Sequence, residues 1–158
     1  MKLTTQNLFE QCYGKYAIAA VNIFTMEQVL GLFSAAHKCQ SPFIVQTTPV
    51  ARNYAHPEML LSMIDAASKI YPDVVYALHL DHGNEDHALA AIASEQYTSV
   101  MIDASHDDFE TNVARTKHIV KKAHMKNISV EAELGVLSGV EDDVSIEEKY
   151  AKYTNPEN

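Results

Sequence analysis

Apolar and β-branched residues gather into five short runs, Ala17–Asn22, Pro42–Thr48, Val74–Leu80, Ser99–Asp103 and Ile128–Leu134. Between them the apolar positions recur at helical spacing, over Met26–His37, Pro57–Ile70, Glu85–Glu95 and Asp108–Met125, and a short helix at Gln6–Gly14 precedes the first run. The helix starts carry their own signals. Thr25 with Gln28 has the form of a capping box, Pro57 suits a first helical turn, and Asp107 or Asp108 is placed to cap the fourth long helix. The order βαβαβαβαβ predicts parallel strands joined by crossover helices, either as an open doubly wound sheet or as part of a barrel; spacing alone fits both. After Leu134 the pattern changes to a long loop: Gly135–Val140 is small and flexible, Glu141–Asp143 is acidic, and Ser145–Lys152 has room for one or two helical turns. Tyr153–Asn158 reads as a turn before a proline with no further strand, so the expected division is 1–134 and 135–158.

Composition adds bounds rather than identity. With 158 residues, 47% hydrophobic and 21% charged, the chain reads as one ordinary globular domain. A formal net charge of −9 disfavours nucleic acid and anionic membrane as partners and suits an enzyme that uses a divalent cation. Cys12 and Cys39 form no CxxC pair, no signal-like segment opens the chain, and no apolar run approaches the ~20 residues of a membrane span. The expectation is a cytoplasmic protein.

The candidate chemistry is positional. The runs end in Asn22, Thr48, Asp81 with His82, Asp103 and Glu133, and the carboxyl ends of parallel strands are where α/β enzymes place their reactive groups. Three carboxylates and an imidazole on one rim suit Zn²⁺ or another divalent metal. Taken singly, each of these residues also has an ordinary role as a turn or cap residue, so the site depends on the strands being neighbours. His79 alternates with Asp81 and reads as a hydrogen-bonded core residue outside the site. His87, His118 and His124 fall in helical stretches as surface or packing residues, and His106 lies in a turn nearby. No GxGxxG or GxxxxGK[ST] loop follows the first run.

In order and spacing, Leu78–Gly83 (LHLDHG), Ser99–His106 (SVMIDASH), Ser129–Gly135 (SVEAELG) and Gly139–Val144 (GVEDDV) resemble the class II, metal-dependent ketose-bisphosphate aldolases. Tyr16–Asn22 (YAIAAVN), Gln46–Pro49 (QTTP) and Tyr153–Pro156 (YTNP) extend the likeness over almost the whole chain, with the fructose- and tagatose-bisphosphate branch most similar in wording. The resemblance implies a partial TIM (β/α)8 barrel of about five parallel strands with flanking helices. It implies a lyase of carbohydrate metabolism and glycolysis that cleaves a sugar bisphosphate with Zn²⁺ or another divalent metal, with a monovalent cation as a further ligand. It casts His82 as a metal ligand, Asp103 and Glu133 as carboxylates for a second or displaced ion, and Asp81 and Glu141 as the catalytic proton-transfer residues. Asn22 and Thr48 match substrate-lining positions, Thr48 standing where many relatives have Ser, and Ser138-Gly139 stands where the family usually has two glycines. The family is expected to form homo-oligomers, dimers or larger, at full length. Two further metal-binding histidines and the phosphate-binding loops match no position here. The parent protein is therefore expected to be an enzyme and the isolated 158 residues inactive. The alternative is a stand-alone, non-catalytic half-barrel that binds a partner or a metal.

Overall fold

The computed structural model describes residues 1–141 and 144–155, with the side chains at 140, 141, 144–146 and 150 left outside that description. Asp142 and Asp143 of the expected acidic loop, and Pro156 at the end of the YTNP segment, lie outside the described residues. The elements run α1 (Thr5–Cys12), β1 (Ala19–Asn22), α2 (Met26–Cys39), β2 (Phe43–Thr47), α3 (Pro49–Ala55), α4 (Pro57–Ile70), β3 (Tyr76–Gly83), α5 (Glu85–Ser94), β4 (Ser99–Ile102), α6 (Phe109–His124), β5 (Ser129–Ala132), then β6 (Gly139–Glu141), β7 (Val144–Ile146) and a 3-10 turn at Glu148–Tyr150.

Strands β1 to β5 form one sheet in sequence order, every pair parallel, from Ala19 opposite Phe43 to Ile102 opposite Ala132. Sequential parallel strands with a helical crossover at each step are the wall of a (β/α)8 barrel, here five strands of it. The helices start where the sequence says they should. Thr25 and Gln28 form the full capping box, Pro57 opens α4, and Asp108, rather than Asp107, caps α6 through Thr111 N. One helix is new: α3 begins at Pro49 with Thr48 as its cap, so the β2–α4 connection holds a seven-residue helix rather than a plain turn.

Alternation sorts the strand residues onto two faces. Tyr76, Leu78 and Leu80 of β3, Val45 of β2, and Val100 and Ile102 of β4 join Val29, Phe33, Leu60, Ile64, Ala91 and Ile119 of the helices in the main core. Phe33 packs edge-on against Phe43 and Tyr76 at ring separations of 5.2 and 5.1 Å, contacts that each add about 0.5–1.5 kcal/mol beyond area burial. On the opposite, concave face Ile44 and Ala77 pack on Leu8 of α1, which closes the amino-terminal end of the sheet. Lys2 bridges to Tyr76, and the Met1 amino group bonds Val74 O. Among the described residues no helix is long and apolar enough to cross a membrane.

The segment after β5 differs from the expected loop. Its backbone forms the antiparallel β6–β7 hairpin, and Val136 pairs with Lys152 through hydrogen bonds of 2.6 and 2.8 Å. Gly135, at φ +90°, lets this crossing form: a Cβ there would run into Lys152 O and, at 2.9 Å, Thr154 N. Ser145 and Ile146, expected in a helical turn, belong to β7 instead.

Candidate metal and active site

The strand ends converge as the parallel order requires. Asn22 ends β1, Thr48 follows β2, Asp81 and His82 are among the last three residues of β3, and Asp103 and Glu133 directly follow β4 and β5. Asp81 continues the concave-face series Ala77, His79, Asp81. By the same alternation His82 belongs with Leu78 and Leu80 on the helix side. A break in register between Leu80 and Gly83 and a left-handed backbone at His82, φ +49°, override that pattern and bring the imidazole to the same rim as Asp81. Gly83 seals the irregularity. A Cβ there would meet Leu80 Cδ2 at 2.6 Å and Met101 O at 3.2 Å, and Gly83 O accepts from Asp103 N at 2.8 Å, locking β3 to the site-bearing end of β4.

His82 Nδ1 lies 3.0 Å from Asp103 Oδ2 and 3.8 Å from Glu133 Oε2. These three residues are half-buried, and one ligand atom from each falls within 4.8 Å of the others, the one such cluster among the described residues. Asp103 is held on both sides. Oδ1 accepts from Ser105 N at 3.0 Å and from Ser105 Oγ at 2.7 Å, which leaves Oδ2 for His82. The hydrogen bond from His82, helped by those from Ser105, holds the Asp103 carboxyl far below the usual carboxylate range, so it is an anion at any ordinary pH. One imidazole nitrogen facing two carboxylates is a donor set that fits Zn²⁺ or a similar divalent ion.

Beside the cluster, Asn22 Nδ2 donates to Asp81 Oδ2 at 2.8 Å, while the buried Asn22 Oδ1 has no partner among the described residues. Thr48 is buried, and its hydroxyl accepts from Ala51 N at 3.1 Å as the α3 cap. Glu141 lies in β6 with its side chain outside the description. His79 is buried as expected, bonded through Nδ1 to Ser99 Oγ at 2.8 Å, and burial lowers its pKa to about 4. His106 is exposed in the β4–α6 turn, on the rim of a groove it shares with Phe109, Leu134 and Tyr153. Sequence reasoning passed over Ser105, which lies inside the SVMIDASH segment; its spacing from Asp103, two residues on, is that of an Asx turn.

A parallel α/β barrel wall with an imidazole and carboxylates on its carboxyl rim defines a metal-site enzyme scaffold. The comparisons carry this further. The family described as "Fructose-bisphosphate aldolase class-II" matches residues 3–158. Over 141 residues the chain is 40% identical to a fructose-bisphosphate aldolase of Helicobacter pylori (strain ATCC 700392 / 26695), covering 89% of this chain and 46% of that protein. It is 40% identical over 142 residues to one from Thermus caldophilus, 90% of this chain and 46% of that protein. The crystal structure of the YdjI aldolase from Escherichia coli K12 superposes with a TM-score of 0.78 at 30% identity, over 85% of this chain and 52% of that one. The chain belongs to the class II fructose-bisphosphate aldolase family. It spans about half the length of the curated relatives it matches.

Proposed function

We propose that these residues form the first part of the active site of an aldolase that reversibly cleaves fructose 1,6-bisphosphate or tagatose 1,6-bisphosphate to dihydroxyacetone phosphate and glyceraldehyde 3-phosphate, with His82 as a ligand of Zn²⁺ or a similar divalent ion and Asp103 and Glu133 as auxiliary oxygens. The observation that carries the reading is the pairing of neighbours in the chain, Asp81 and His82, on one rim although strict alternation would send them to opposite faces. A bound divalent cation would supply Lewis-acid stabilisation of the negative charge that develops on oxygen as the C3–C4 bond breaks.

The chain's own residues then have separate tasks. Asp81, fixed by Asn22, is the base that takes the C4 hydroxyl proton during cleavage. Asn22 keeps Oδ1 available for a substrate hydroxyl, and Thr48 contributes to the substrate wall. Glu141 returns a proton to the carbon left by cleavage, an assignment supported by the family resemblance alone. His82 is the one histidine in the described cluster, where the resemblance calls for three with the two carboxylates as auxiliary oxygens, so the 158-residue chain is proposed to lack turnover by itself. The test is a coupled measurement of dihydroxyacetone phosphate release from both bisphosphates by a full-length aldolase carrying this segment, with and without chelator. Turnover that survives complete chelation overturns the metal-dependent reading.

A further inference from the structure

Beneath the His82–Asp103–Glu133 rim the same three strands carry a second polar layer. β3 contributes His79 below His82, β4 contributes Ser99 below Asp103, and β5 contributes Glu131 below Glu133. His79 and Ser99 are buried at 2% and 1% exposure, so their hydrogen bonds must be made within the protein. The donors can be counted. Thr5 of α1 donates its hydroxyl to Ser99 Oγ at 3.2 Å. Ser99 has one proton, and its remaining partner among the described residues is His79 Nδ1 at 2.8 Å, so Ser99 donates and Nδ1 accepts. An imidazole that accepts at Nδ1 carries its proton on Nε2.

That nitrogen is the odd atom in the layer. His79 Nε2 is buried, completes no hydrogen bond among the described residues, and lies 3.5 Å from Glu131 Oε2, just short of one. A buried N–H left unpaired is costly, so a carboxylate this close is favoured to close the gap. Burial holds His79 neutral, its pKa down at about 4, which leaves Nε2–H as its one donor.

We propose that His79 is a positioning residue of the metal site: with its proton on Nε2 it bonds Glu131, completing a directed chain Thr5–Ser99–His79–Glu131 that fixes where β5 presents Glu133 beside His82 and Asp103. The proposal rests on the reading of that trio as a metal site. Such a tie adds a second hold on β5, which among the described residues pairs with β4 and leaves Glu131 and Ala132 exposed. Partners of this kind, one step behind the ligands, set metal affinity by holding the ligands in place.

The test has two arms, the first on the 158-residue chain and the second on a full-length aldolase carrying this segment. In the first, isotope labelling of the histidine ring nitrogens and NMR near neutral pH read the His79 tautomer. A neutral ring protonated on Nε2 is expected; a ring protonated on Nδ1, or charged, overturns the proposal, and this measurement needs no variant to fold. In the second, Zn²⁺ alone is titrated into wild type, His79→Asn and His79→Gln, with melting curves alongside. Asn reproduces the reach of Nδ1 and Gln that of Nε2. His79→Asn should weaken Zn²⁺ binding about tenfold or more and His79→Gln by less than about threefold, although both melt lower than wild type. Equal affinities in the two variants, with wild-type binding intact, overturn the positioning role alone. Absence of Zn²⁺ binding by wild type removes the metal reading and the positioning role together.

Discussion

Asn22 on β1 reaches over β2 to bond Asp81 on β3, Nδ2 to Oδ2 at 2.8 Å. Strands two places apart in a sheet lie about 9–10 Å apart, so the bond requires the side chains to converge on a concave face. It also selects one rotamer of Asp81. Asn22→Ala should leave the Asp81 carboxylate unsteered and lower kcat in a full-length aldolase carrying this segment by about 10–100-fold, the worth of one hydrogen bond to a charged group. Asn22→Asp should do worse, because it sets a second carboxylate against the first. Steady-state kinetics on both variants check this, and an unchanged kcat in Asn22→Ala would remove Asp81 orientation as the role of Asn22.

His82→Ala and Asp81→Ala should separate two functions that occupy adjacent positions. The first should abolish tight Zn²⁺ binding. The second should keep the metal while losing most of kcat, since general-base assistance contributes typically about 10²–10⁴-fold. Metal content after dialysis, measured beside turnover, distinguishes them. Loss of metal in Asp81→Ala would make Asp81 a ligand.

Gly83→Ala should destabilise the fold by about 1–3 kcal/mol, the usual range for overpacking a closed core. The added methyl meets Leu80, which is fully buried, and the Met101 carbonyl, so neither neighbour has space to yield. Urea denaturation gives the stability change. The same variant should bind Zn²⁺ more weakly, because Gly83 O holds Asp103 N.

How much of this was legible beforehand follows from what each feature depends on. The five parallel strands and the capping box at Thr25 are written in local periodicity and short-range hydrogen bonding, and they appear where the sequence puts them. The clustering of His82, Asp103 and Glu133 followed from strand adjacency, which alternation of strands and helices implies. Helix α3 was hidden because seven residues after Thr48-Pro49 are too few for a periodic signal, and Thr48 served the strand reading better than the cap reading. The extension of β3 through His82 and Gly83 was invisible for another reason. A left-handed histidine has no marker in the residue type, and the slip that carries it exists only against the partner strand. The β6–β7 hairpin is made of three-residue strands, below the length at which alternation can be read.

The burial of His79 predicts an acid-sensitive fold. Its folded pKa, about 4, lies below the ordinary histidine value, so between about pH 6.5 and pH 4 the unfolded chain binds the additional proton. The sign is therefore fixed: the neutral ring's contribution is complete above about pH 6.5 and is lost as pH falls to about 4, by up to roughly 3 kcal/mol. Melting temperature recorded from pH 7 to 4 should fall more steeply for wild type than for His79→Gln. Parallel curves would show that another group dominates the acid limb.

The left-handed backbone at His82 sets the local interest of the fold against that of the site. A non-glycine residue in this conformation costs about 1–2 kcal/mol, and glycine or asparagine would occupy it with less strain. A laboratory selection on thermal endurance alone, run without metal and without turnover, should therefore drift at position 82 toward those residues and discard the imidazole. Histidine held there under such a selection would mean that its contact with Asp103 repays the backbone, and the position would then serve as a gauge of how much the empty site stabilises the protein.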